Sequence, residues 1–92
     1  MAEAEHDKAL PQIDFATFIL SLSHSALMHL GEVPHPDTEK VERDLPLAKQ
    51  NIDLLGLLEE KTKGNLTGDE ERLLHQVLFD LRMRYVELTK KT

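Results

Sequence analysis

Between Leu45 and Leu88 the sequence carries two helical repeats of apolar residues around one short turn, Lys63-Gly64-Asn65-Leu66-Thr67. That arrangement leaves few ways to fold. Asp44 can cap the first helix, because its carboxylate accepts a bond from an N–H that the first turn leaves orphaned. Pro46 follows where a missing N–H costs little. Leu47, Ala48, Ile52, Leu54, Leu55, Leu57 and Leu58 recur at helical spacing. Lys61 and Lys63 suit the negative end of the dipole, and Gly64 suits the left-handed position after a helix.

Thr67-Gly68-Asp69-Glu70 then matches the capping box, in which Thr67 and Glu70 satisfy each other's amides. Leu74, Val77, Leu78, Leu81, Tyr85 and Leu88 form one stripe of the helix that follows. Phe79, Met83 and Val86 form a second, about 140° away on the helical wheel. Asp80 and Arg84 make an i,i+4 pair worth a few tenths of a kcal/mol. A turn this short returns the second arm antiparallel to the first. Gly56, in the middle of the first arm, reads best as a close crossing of helices rather than as an approach route for a ligand.

A third helix precedes the hairpin. Asp14 caps it, and Phe15 to Leu30 follow without a charged residue. Phe15, Phe18, Ile19, Leu22 and Ala26 share a face that Leu20, Leu27 and Leu30 widen. The uncharged run of about 17 residues is at the lower limit for a membrane span. It is broken by Thr17, Ser21, Ser23, His24, Ser25 and His29 and has no basic anchor, so a membrane role is disfavoured. Gly31 ends the helix. A stiff connector with Pro34 and Pro36 leads to Asp37–Arg43, whose Glu39–Arg43 and Lys40–Asp44 spacings predict a short helical lead-in.

The expected architecture is all-α: three main helices, about 14–30, 45–63 and 67–89, in one domain over residues 14–92. Residues 1–13 read as a disordered arm, and Lys90-Lys91-Thr92 as a basic end that complements the last helix dipole. With 92 residues and no cysteine, stability must come from a hydrophobic core or from one shared with a partner. Helices with more than one apolar stripe exceed what a single chain of this size covers, so a homodimeric bundle is expected. The candidate interface is Phe15, Phe18, Ile19, Leu22 and Ala26 on the first helix, with Phe79, Met83 and Val86 on the last.

Ile52-Asp53-Leu54-Leu55-Gly56-Leu57-Leu58-Glu59-Glu60-Lys61-Thr62-Lys63-Gly64-Asn65-Leu66-Thr67 resembles the signature of a bacterial family known as domain of unknown function 1844. Leu73-Leu74, Leu81–Glu87 and the early Asp14–Leu22 fit the same pattern, so the resemblance covers roughly residues 14–88. It implies a bacterial, cytoplasmic protein and supplies no catalytic residues. Gly68 stands where the family often has proline, which should loosen the first turn of the last helix without altering topology.

The chemistry points away from catalysis. Ser21, His24 and Ser25 lie close on one helix, yet no orienting carboxylate, oxyanion hole or nucleophile elbow accompanies them. No catalytic, cofactor or metal site is assigned. The expected function is a non-enzymatic protein-binding or oligomerisation module. One alternative is a small-ligand or metal-binding helical protein using His24, His29 or His75. Another is a weak RNA- or ribosome-associated factor using Arg82, Arg84, Lys90 and Lys91. The net charge of −6 and the scarcity of aromatic residues oppose nucleic acid as a partner.

Overall fold

In a computed structural model, which describes residues 13–90, three helices carry the chain: α1 (Phe15–Leu30), α2 (Leu45–Lys61) and α3 (Gly68–Lys90). The expected arm, apart from Ile13, and Lys91-Thr92 lie outside the described residues. Local chemistry sets each boundary. Asp14 Oδ1 accepts the Thr17 N–H at 2.8 Å, and Asp44 Oδ1 accepts the Leu47 N–H at 3.1 Å. The capping box closes reciprocally: Thr67 N–H donates to Glu70 Oε1 at 2.8 Å and Glu70 N–H to Thr67 Oγ1 at 3.2 Å. Gly68 does occupy the first position of α3, and the helix starts there.

Gly31 ends α1 at φ +80°. Its N–H reaches Met28 O at 3.1 Å and the Glu32 N–H reaches Leu27 O at 2.9 Å, the paired bonds of a Schellman motif. The end of α2 differs from expectation. The helix stops at Lys61, and Thr62 caps it by donating both its N–H and its hydroxyl to Leu58 O. Gly64 takes the left-handed conformation, φ +86°, within the turn itself.

The lead-in helix over Asp37–Arg43 does not form. Glu39 sits at φ +58°, between a Glu39 N–H bond to His35 O (2.7 Å) and a His35 N–H bond to Lys40 O (2.8 Å). The residues of the expected ion pairs have other partners. Arg43 Nε donates to Leu30 O at 3.1 Å, and Asp44 caps α2 while its N–H donates to His29 O at 2.7 Å. The loop is therefore stitched to the carboxyl end of α1, where unsatisfied helix carbonyls need donors.

Each helix packs on both others around a single core. α1 contributes Ile19, Ala26 and Leu30; α2 contributes Ala48, Ile52 and Leu55; α3 contributes Leu74, Leu78 and Leu81. Phe15, Leu22, Leu27, Leu45, Leu58, Leu66, Leu73, Val77, Tyr85 and Leu88 close its margins. Ile19 and Ala26, assigned to the candidate interface from sequence, are thus corrected to the interior of the chain. Their positions mark the centre of the α1 face, and the hairpin covers that centre.

Candidate interaction surface

The two stripes of α3 have different fates. Leu74, Leu78 and Leu81 are sealed in the core, whereas Phe79, Met83 and Val86 are 69%, 47% and 45% exposed. A shallow cleft runs along these three past Glu59, His75, Leu78 and Arg82, and no residue of α1 lines it. A deeper cleft of about 590 Å³ continues it toward the interhelical turn, lined by Gly56, Glu59, Glu60, Lys63, Leu66, Glu71, Leu74, His75 and Arg82.

Two polar groups mark the seam between α2 and α3. His75 Nε2 lies 2.8 Å from Glu59 Oε2, so an imidazole of α3 is tied to a carboxylate of α2. Arg82 lies across Gly56: a methyl group built there would meet its Nη2 at 3.0 Å. The close crossing of helices expected at Gly56 is not what the structure holds there: among the described residues a guanidinium tip, not a helix backbone, comes near the position. Arg82 has neither a hydrogen bond nor an ion pair among the described residues, and the same holds for Glu87.

The opposite edge of α3 is anchored. Arg84 Nε donates to Asp80 Oδ2 at 2.8 Å, and its Nη1 lies 3.4 Å from Glu32 Oε1 beyond the end of α1. The hydrogen bond to Asp80 holds the Arg84 guanidinium above its ordinary pKa. The sequence finds the Asp80–Arg84 half of this triad from spacing. Glu32 and Glu59 join their partners across helices, which no spacing rule reveals.

On α1, Phe18 is 43% exposed and its ring centroid is 6.4 Å from that of half-buried Phe15, the planes tilted by 50°. Leu22 is half-buried. The histidines proposed as ligands are not gathered. His24 is exposed, His29 lines a cleft of about 260 Å³ with His35 and Arg43, and His75 belongs to the α2–α3 seam. Among the described residues no group of three or more His, Asp or Glu side chains is placed to hold a metal ion. None of the described helices is long and apolar enough to cross a membrane.

No curated protein and no solved structure matches this chain. The sequence profile of domain of unknown function 1844 (DUF1844) matches residues 12–87, which span all of α1 and α2, the capped turn and nearly all of α3. The chain belongs to the DUF1844 family.

Proposed function

We propose that this protein is a non-enzymatic interaction module that pairs with a second copy of itself and offers another apolar face to a different protein. The observation that carries this reading is the outward stripe Phe79, Met83 and Val86. An aromatic ring, a thioether and a branched aliphatic chain, adjacent on consecutive turns, make the kind of surface that water destabilises and that interface cores favour. Its position supports the reading too, since α3 holds it rigidly while the other stripe of the same helix anchors the core. The Phe15–Phe18 aromatic pair on α1 is a second, separate patch.

The clefts fit ligand chemistry less well. The imidazole in the larger one already has a carboxylate partner in Glu59, and the opening is broad and solvated rather than a closed apolar pocket. The acidic balance of the chain favours protein over nucleic acid as a partner.

The test is molecular mass by light scattering on the wild type and on Met83→Asp, with helicity checked by circular dichroism. We expect a dimer for the wild type and a folded monomer for the variant. A wild type that is monomeric at every accessible concentration would remove self-association from the proposal.

A further inference from the structure

The stripe on α3 continues at both ends in polar residues of the same register. Phe79, Met83, Val86 and Lys90 are spaced four, three and four apart, and Gln76 precedes them. This is the spacing of a coiled-coil seam, which would put Phe79 and Val86 at d and Gln76, Met83 and Lys90 at a. His75 and Arg82 then fall at g, the edge beside α2, and Asp80 and Glu87 at e, the edge away from it.

We propose that the stripe is covered by the same stripe of a second copy, the two α3 helices running parallel, with Arg82 of each chain paired to Glu87 of the other. The proposal rests on the self-association argued above and specifies its face, direction and register.

Charge decides the direction. In a parallel pair each g residue meets the next e residue of its partner, and here that joins Arg82 to Glu87 twice by symmetry. Both are exposed and lack a partner within the chain among the described residues. The second g–e contact brings His75 to Asp80, again without like charges. An antiparallel pair about the middle of the stripe would set Arg82 beside its own copy and Asp80 beside Glu87, which are like charges in both cases. A heterologous partner would have to supply an acid opposite Arg82, whereas this chain already holds one at the matching position.

The ends of the seam limit its length. Arg72, at the d position before Gln76, meets its own copy, and so does Lys90. They confine the dry contact to three layers, fix the register and limit the affinity. Arg82 must leave its place over Gly56 to reach the partner, a rearrangement confined to one exposed side chain.

Two measurements on the full chain test this. The chain has no cysteine, so Gln76→Cys introduces a single thiol at an exposed a position. In the parallel pair the two thiols face each other and should oxidise to a covalent dimer, whereas an antiparallel pair holds them on the order of 20 Å apart. Arg82→Glu and Glu87→Arg should each weaken dimerisation by about tenfold or more in sedimentation equilibrium, and the double exchange should restore it. A wild-type dimer that leaves Gln76→Cys uncrosslinked, or that is indifferent to both reversals, overturns the parallel pairing but leaves self-association through another face standing. A wild type that never dimerises overturns both.

Discussion

Gly56 shows how one atom's surroundings set the sign of a mutation. Glycine inside a helix costs about 1 kcal/mol relative to alanine, and tight packing normally explains its presence. Here, among the described residues, the only atom within 4 Å of an added methyl, outside the glycine's own neighbourhood, is the terminal Nη2 of exposed Arg82. A flexible guanidinium tip withdraws by a few tenths of an ångström at little cost, whereas a backbone would not. Gly56→Ala should therefore stabilise the fold by about 0.5–1 kcal/mol, read as a rise in the urea midpoint at unchanged slope. A fall in the midpoint would mean that Arg82 is held where it lies. The sequence makes Gly56 visible as an anomaly in a run of leucines. It cannot tell a backbone crossing from a side chain lying across, since that depends on a residue of the next helix.

At the scale of the elements, the sequence is most legible where the chemistry is local. Asp14, Asp44, Gly31 and the Thr67–Glu70 box all act as their spacing implies, since a cap involves residues three or four apart and nothing else. The segment Asp37–Arg43 misleads for the converse reason. Its charges stand at helical spacing, but Asp44 is needed as a cap and Arg43 is drawn to a carbonyl of α1. On α1, periodicity marks Phe15, Phe18, Ile19, Leu22 and Ala26 as one face, but only the hairpin's position decides that Ile19 and Ala26 become interior and Phe18 stays outside. The α1 cap also carries a pH signature. Hydrogen bonds from Thr17, the backbone N–H foremost, hold the Asp14 carboxyl below its ordinary pKa. The native state thus binds this proton less readily than the unfolded chain. The cap's contribution is complete above the unfolded pKa and is lost as pH falls through the folded one, below about pH 4. Asparagine caps nearly as well but does not titrate. The melting temperature of Asp14→Asn should therefore fall less steeply than that of the wild type between about pH 5 and pH 2. Parallel acid limbs would deny the cap its titration.

For the whole molecule the question is how a small core is sustained. Among the described residues nine side chains are buried, while ten large apolar ones, including Phe79, Met83 and Val86, are exposed. A fold with that balance gains from any partner that covers the exposed set, and binding to the native state alone raises its stability by mass action. If the partner is a second copy, folding and pairing are linked. Once the protein is mostly dimeric, each tenfold rise in concentration adds about 0.7 kcal/mol per chain, half the 1.4 kcal/mol that a factor of ten is worth for the pair. For a domain of this size that corresponds to about 3–5 °C in the melting temperature. Calorimetry over two decades of wild-type concentration should show this climb. Met83→Asp, which places a carboxylate in the middle of the stripe, should show a flat line that meets the wild-type curve at its dilute end, because its own fold does not depend on that exposed side chain. A wild-type melting temperature independent of concentration would mean that the nine-residue core is sufficient alone and that the α3 stripe is kept for a partner other than itself.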